Sequence, residues 1–332
     1  MKTIAVLGSG SWGTALAAHL AQGGHQVRLW GRNADLIADI KARRANVTYL
    51  PDVLLPQSIT PTASLEEALA RTDFVVAALP SHGTRAVIRD AARFVPRQAL
   101  LVSATKGLEP ATHLRMSEVI SQVINARFVP SVAVLSGPSF AAEAAQGHPT
   151  AVALASQDAA LGAFLQEELS GPTFRLYTND DVLGVELAGA MKNVMAIAAG
   201  ACQGLSLGAN SLAALITRGL AEMTRLAIAL GGKSETLSGL AGMGDLILTC
   251  YGAQSRNRRV GFELGQGRSL AEILAGMTMV AEGVGTTAAL LALAKENRIE
   301  LPITQQVHSI LHLGNSPREA IRAIMERPLK RE

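Results

Sequence analysis

Thr3-Ile4-Ala5-Val6-Leu7-Gly8-Ser9-Gly10-Ser11-Trp12-Gly13-Thr14-Ala15-Leu16-Ala17 decides the fold. Residues 4–7 are an apolar run of strand length that stops at glycine. Gly8, Gly10 and Gly13 then fit the spacing GxGxxG, and residues 13–22 carry a helical pattern. Alone, the spacing is a weak signal, and a glycine-rich turn without a ligand is the alternative. Between a strand and a helix it is the context in which a dinucleotide binds. Gly8 permits the tight turn, Gly10 lets a pyrophosphate approach the backbone, and Gly13 lets helix and strand pack closely. The N-terminus of the helix faces the phosphates.

Outward from this stretch, similar apolar runs recur at residues 27–30, 74–79, 100–103, 132–135 and 151–154. Being apolar on both faces, they suit a sheet covered by helices on both sides. Helical patterns lie between several of them, at residues 34–44, 64–70, 84–94 and 114–124. The alternation predicts a parallel, right-handed crossover sheet. After a last candidate strand at 174–177 the character changes. From residue 183 onward helical patterns dominate, punctuated by glycine clusters. The expected fold class is α/β: a Rossmann-type domain over residues 1–180, then an all-helical domain over 181–332. Two such domains usually hold a ligand in the cleft between them.

Composition narrows the function. The 332 residues allow about two domains. Apolar residues make up 48% of the chain, enough for two cores, and charged residues only 17%, too few for a disordered chain. The net charge of +3 excludes a strongly basic surface, so neither nucleic acid nor a polybasic membrane contact is expected. Cys202 and Cys250 form no CxxC motif and read as reduced core thiols; no metal is expected. The N-terminus reaches glycine before it has the apolar length of a signal peptide. Residues 193–217 lack charge but contain too many polar and glycine residues for a membrane span, and read as a buried helical region. A cytoplasmic location is the expectation.

Several positions carry candidate chemistry. The second strand ends in Gly31-Arg32-Asn33, where NAD-binding units place Asp or Glu for the ribose 2′-hydroxyl. A guanidinium there can pair with a 2′-phosphate, which favours NADP(H). A solvated surface arginine is the alternative, and Asp35 reads as a helix-dipole charge in the next first turn. Ligands in open parallel sheets bind outside the carboxyl ends of strands. There stand His82, a minor candidate more readily read as solvated, then Lys106, and the loop Gly137-Pro138-Ser139-Phe140-Ala141. Lys106 can meet an anion or a carbonyl oxygen, and Gly137 and Ser139 can donate hydrogen bonds.

In the second half, Lys192 shares a helix face with Ala188, Gly189, Met195, Ala196 and Ala199. Burial among them would lower its pKa toward a value useful in proton transfer; a lysine snorkelling out of an apolar face is equally open. Asp245 stands near the start of a helix, where an N-cap is the plain reading. Ser255-Arg256-Asn257-Arg258-Arg259 is either a solvated helix face or a phosphate site. Residues 280–284, with Val280 and Glu282, read as a loop able to touch a cofactor.

In order along the chain stand GSGSWGTALA, SATKGLE, LSGPSFAAE, ELAGAMKNVMAIAAG, LAGMGDLILTC, SRNRRVG and VAEGVGT. Through these the chain resembles, essentially end to end, the bacterial-type NAD(P)-dependent glycerol-3-phosphate dehydrogenases. Seven segments in the same order are far more specific than GxGxxG alone. The resemblance implies a Rossmann domain followed by a helical domain like that of 6-phosphogluconate dehydrogenase. It implies reversible hydride transfer between NAD(P) and the pair dihydroxyacetone phosphate and sn-glycerol 3-phosphate; Arg32 sets the expectation that NADPH/NADP+ is preferred, with NADH/NAD+ as the alternative cofactor. In bacteria this supplies phospholipid synthesis. Lys192 would be the proton donor and acceptor. Lys106, Gly137, Ser139, Lys192, Asp245, Ser255, Arg256 and Asn257 would hold the substrate. Ser11, Trp12, Arg32, Lys106, Ala141, Arg256, Val280 and Glu282 would touch the cofactor. A homodimer is the expected assembly. The rival readings are a hydroxy-acid dehydrogenase of the same architecture, which would need a carboxylate site, and a non-catalytic NADP(H) sensor.

Overall fold

The computed structural model describes residues 1–329 and 331. The chain divides into two compact units, Met1–Lys106 with Arg115–Val182, and Gly107–Leu114 with Leu183–Glu332. A single cut after residue 180 cannot express the excursion Gly107–Leu114. Its Leu108 is buried in the helical core of the second unit.

The first unit runs β1 (Thr3–Leu7), α1 (Ser11–Gln22), β2 (Gln26–Trp30), α2 (Ala34–Arg43), β3 (Ala45–Asn46), β4 (Leu50–Leu54) and β5 (Ile59–Thr62). It continues with α3 (Leu65–Leu69), β6 (Phe74–Ala77), α4 (Ser81–Ala92), β7 (Leu100–Ser103), α5 (Met116–Ile124) and β8 (Val132–Ser136). Then come α6 (Ala141–Ala145), β9 (Thr150–Ala155), α7 (Ala159–Leu169) and β10 (Phe174–Asn179). Eight strands form one sheet in the order β10-β9-β8-β7-β6-β1-β2-β5. β1 pairs in parallel with both β2 and β6, so the chain reverses its direction across the sheet at β1, where ligands of such sheets sit.

The apolar runs have a direct cause. Successive side chains of a strand point to opposite faces. Ile4 and Val6 enter one buried cluster, while Ala5 and Leu7 enter another. Both faces are covered, so both must be apolar.

Two features depart from the sequence reading. The sheet is not wholly parallel: β8 and β9 pair antiparallel, and β10 runs parallel with β9. A parallel crossover needs a dozen or more residues, usually with a substantial helix. The segment between β8 and β9 offers only the five-residue α6. The second departure is β3, β4 and β5, for which no strand was expected. They contain Pro51 and Pro61, and β4 exposes three of its five residues, so no apolar run announces them.

The second unit holds α8 (Val182–Gly204), α9 (Ala209–Ala229), α10 (Ser234–Ser238), a π-type turn (Leu240–Gly244), α11 (Asp245–Tyr251) and α12 (Arg256–Gly265). Then follow α13 (Leu270–Ala275), α14 (Glu282–Glu296), α15 (Pro302–His312) and α16 (Pro317–Met325), with no strand among the described residues. α8 is long and apolar enough to cross a membrane, yet 89% of its most apolar window is buried inside the protein. It is the central helix of this core. α12 lies against it backbone to backbone. A Cβ on Gly200 would collide with the Arg258 carbonyl oxygen, and one on Gly261 with that of Ile197. A buried carboxylate ties α9 to α15: Glu222 accepts from the backbone N–H groups of Ile303 and Thr304 and from the Thr304 hydroxyl. These are the unpaired donors of the first turn of α15.

Candidate active site

In the first unit the glycine loop crosses from β1 to α1. Gly8 has φ of 120°, and a Cβ there would strike the Ala78 carbonyl. Gly13 packs against the Gly8 carbonyl with no room for a side chain, whereas a Cβ on Gly10 would meet nothing within 4 Å. The loop is therefore closed behind and open at Gly10. No side chain caps the N-terminus of α1. The indole N–H of Trp12 is buried without a partner, and its ring lies 6.3 Å from Phe174. Open backbone, an uncapped helix N-terminus and an orphaned donor fit a dinucleotide pyrophosphate. Arg32 is exposed just beyond β2, and Asn33 caps α2 by accepting from the Asp35 and Leu36 N–H groups. Asp35 lies in the first turn of α2, as its reading as a dipole charge requires.

At the carboxyl ends of β7 and β8 the structure brings three expected residues together. Lys106 Nζ donates to the Gly137 carbonyl at 3.0 Å, and Ser139 Oγ donates to the same oxygen at 2.9 Å. Ala141 opens α6 immediately afterward. His82 is exposed, the second residue of α4.

The second unit concentrates its polar groups in a dry setting. Lys192, on α8, is 7% exposed and Asp245 1%. Lys192 Nζ donates to Asp245 Oδ1 at 2.6 Å and to Thr249 Oγ1 at 3.0 Å. Thr249 in turn donates to the Asp245 carbonyl at 2.6 Å. Asp245 is thus the first residue of α11 and the partner of a buried ammonium, not an N-cap; Gly244 occupies the cap position. The lysine does not snorkel. Burial disfavours its charge, and the adjoining carboxylate favours it. Beside this group the Cys250 thiol is pushed up to about 12, chiefly by burial, and is inert as a nucleophile. Both cysteines are free.

The arginine segment separates into different roles. Ser255 caps α12 by accepting from the Arg258 N–H. Arg258 donates to Gln203 Oε1 at 2.7 Å, and Arg259 pairs with Glu263 at 2.8 Å. Only Arg256 is drawn into neither arrangement. Its surface is exposed, yet enough protein crowds the guanidinium for desolvation to lower its pKa, against the opposing charge of Glu282. Asn257 is buried, donating to Asn193 Oδ1 at 3.0 Å and accepting from the Gly283 N–H at 2.9 Å. Val280 is exposed, and Glu282 is already the first residue of α14. Three of the five residues read as a loop, 282–284, are therefore helical.

Thr249 and Asn193 were given no role from the sequence. Thr249 lies one helical turn after Asp245, the i+4 position that shares its face. Asn193 follows the lysine directly. Both signals were present, but they gain meaning only once α8, α11 and α12 are packed.

The chain matches the sequence model of the NAD-dependent glycerol-3-phosphate dehydrogenase N-terminus over residues 3–162, and that of its C-terminus over residues 181–322. It is 54% identical over 330 residues to a glycerol-3-phosphate dehydrogenase [NAD(P)+] of Koribacter versatilis, covering 99% of this chain and 98% of that one. To that of Geobacter sulfurreducens it is 48% identical, covering 100% and 99%. The crystal structure of glycerol-3-phosphate dehydrogenase from Coxiella burnetii superimposes with a TM-score of 0.94 at 43% identity, covering 98% of this chain and 99% of that one.

Proposed function

The chain belongs to the NAD-dependent glycerol-3-phosphate dehydrogenase family, and from that premise we propose how its residues divide the work of reducing dihydroxyacetone phosphate to sn-glycerol 3-phosphate and of the reverse oxidation. The reaction is NAD(P)-dependent, and in this reading NADPH is preferred and NADH accepted. The product feeds glycerophospholipid synthesis. The observation that carries the assignment is the buried ammonium of Lys192 held by Asp245 and Thr249.

When bound, the dinucleotide supplies the hydride. The side chains do the rest. As C2 of dihydroxyacetone phosphate is reduced, negative charge grows on its oxygen. Lys192 stabilises that charge and donates a proton to the oxygen; in the oxidation it takes the proton back. Asp245 and Thr249 hold the ammonium in one place, so its orientation costs nothing at the moment of reaction. Arg256 takes the phosphate, and fixing the phosphate fixes C2. Ser255 and Asn257 hold Arg256 at the first turn of α12 and complete the substrate shell. Lys106, Gly137 and Ser139 supply its remaining polar contacts. Gly8, Gly10, Ser11, Trp12, Gly13 and Ala141 receive the cofactor, with Arg32 at its 2′-phosphate and Val280 and Glu282 at its other contacts. The same reading takes the enzyme as a cytoplasmic homodimer, supported by the family likeness; a monomer in sedimentation equilibrium would remove that element.

The test is NADPH consumption measured by absorbance with dihydroxyacetone phosphate, unphosphorylated dihydroxyacetone, and 2-keto acids. A strong preference for the phosphate ester is expected. Equal turnover of dihydroxyacetone, or faster turnover of a keto acid, would overturn the phosphate assignment.

A further inference from the structure

Asn46 is fully buried, and both ends of its amide are used. Nδ2 donates to the Ser9 carbonyl at 2.8 Å and to Thr14 Oγ1 at 2.8 Å. Oδ1 accepts from the Tyr49 N–H at 3.2 Å. The turn that begins at Asn46 is also tied to the start of α1, because Ser11 Oγ donates to the Tyr49 carbonyl at 2.7 Å. Ser9 has no slack on its other side: a Cβ on Gly31 would collide with its hydroxyl. Ser9, Ser11 and Thr14 flank the glycines of the β1–α1 loop, and residues 46–49 follow α2, more than thirty positions later in the chain.

A trans peptide is planar, with its C=O and N–H on opposite sides. Asn46 draws the Ser9 carbonyl toward itself. The N–H of the same peptide, on Gly10, is thereby turned away from Asn46. Gly10 is also the residue whose missing Cβ leaves open space. The bond to Thr14 locks the first turn of α1 to the same amide. An open glycine loop pays a conformational entropy cost on ordering, and Asn46 removes that freedom before any ligand arrives.

We propose that Asn46 is the positioning residue of the cofactor's pyrophosphate loop: its amide fixes the Ser9–Gly10 peptide and the first turn of α1 so that their N–H groups face the phosphates. This rests on the reading of the β1–α1 loop as the cofactor site. Because the pyrophosphate is common to both dinucleotides, Asn46 serves NADPH and NADH alike, in contrast to Arg32.

The experiment measures the Kd of NADPH and of NADH by tryptophan fluorescence on the full-length protein, together with steady-state kinetics. Asn46→Leu keeps the volume and removes the donors. Both Kd values should rise about tenfold or more, the scale of two lost buried hydrogen bonds. Their ratio should stay constant, as should kcat at saturating cofactor and the KM for dihydroxyacetone phosphate. Thr14→Val removes one acceptor without disturbing the buried amide's volume and should reproduce part of the loss, while Thr14→Ser restores the acceptor and should recover wild-type affinity. A folded Asn46→Leu protein that binds both dinucleotides as wild type does would show Asn46 to be merely structural. If Asn46→Leu does not fold, unchanged affinity in Thr14→Val overturns the proposal and an equal loss for both dinucleotides, rescued by Thr14→Ser, supports it. Wild-type protein that binds neither dinucleotide would defeat the reading of the loop itself, and the proposal with it.

Discussion

The two units build their candidate sites from opposite materials. In the first, chemistry is delivered by main chain: glycines, an uncapped helix N-terminus, and carbonyls steered by Asn46, Lys106 and Ser139. In the second it is delivered by side chains buried among apolar ones: Lys192, Asp245, Thr249, Asn193 and Asn257. A main-chain site is local in sequence, because a loop of six residues contains most of it. A side-chain site is assembled by packing. Lys192 and Asp245 are 53 positions apart, and Asn193 and Asn257 are 64 apart. The first kind can lose a contact and still bind; the second leaves an uncompensated charge when one partner goes.

The sharpest way to break this comparison is Lys192→Met. It should lower kcat by about 10²- to 10⁴-fold, the range for a lost acid–base group. NADPH affinity, measured directly, should not change. A variant that turns over at near the wild-type rate would remove Lys192 from proton transfer. Next in size is Arg256→Ala, expected to remove about 2–4 kcal/mol of transition-state stabilisation for dihydroxyacetone phosphate. The decisive quantity is the ratio of kcat/KM for that substrate and for dihydroxyacetone, with NADPH affinity checked separately because the proposed function also sets Arg256 against the cofactor. An unchanged ratio would move the phosphate site elsewhere. In the main-chain unit, Arg32→Asp should weaken NADPH relative to NADH by about 10- to 150-fold, the worth of a charge-assisted contact. Equal losses for both would contradict the 2′-phosphate assignment.

The smallest effects sharpen the comparison through pH. In the first unit His19 is held below 6.5, mainly by burial, while its bond to the Leu169 carbonyl acts in the opposite sense and His25 adds to the lowering. Folding favours its neutral form, so the stability it contributes is present above 6.5 and is lost as pH falls through the folded-state value. In the second unit Glu222 is raised above 4.5 by burial, opposed by its hydrogen bonds from Thr304 and Ile303 and by Arg225. Its contribution is present below 4.5 and is lost as pH rises through the folded-state value. Urea midpoints across pH should therefore show His19→Gln flattening the acid side of the curve. Glu222→Gln should narrow its deficit relative to wild type from acid toward neutral pH. Parallel offsets at every pH would show that neither group's titration is linked to folding.

The same contrast explains what could be read without coordinates. GxGxxG sits within one stretch, and its strand and helix neighbours give it meaning, so the glycine loop and its place between β1 and α1 were legible residue by residue. So were most of the flanking strands, because two covered faces demand a largely apolar run, which Arg28 interrupts in β2. β3 to β5 were not legible, since exposed positions and prolines erase the run. The reversed direction of β9 was hidden because strand composition carries no polarity; only the shortness of α6 hinted at it. In the helical unit Lys192 stood out by its apolar neighbours. Its partners did not, because Asp245 at a helix start looks like any cap and Thr249 like any helical threonine. The three arginines of the α12 segment looked equivalent until Gln203 and Glu263 claimed two of them.

The seam between α8 and α12 adds one more consequence. Rotamers hop, and a core built only of side chains has some play in it. Where Gly200 meets the Arg258 carbonyl and Gly261 meets that of Ile197, the spacer is the main chain itself, which has no rotamers. Lys192 and Asn193 ride on one of these helices, and Asn257 on the other. The two helices are thus gauged against each other like machined faces with no gasket, and a single methyl group at Gly261 would act as a shim. It would shift the alignment of Asn193 and Asn257 without changing any residue that the chemistry uses.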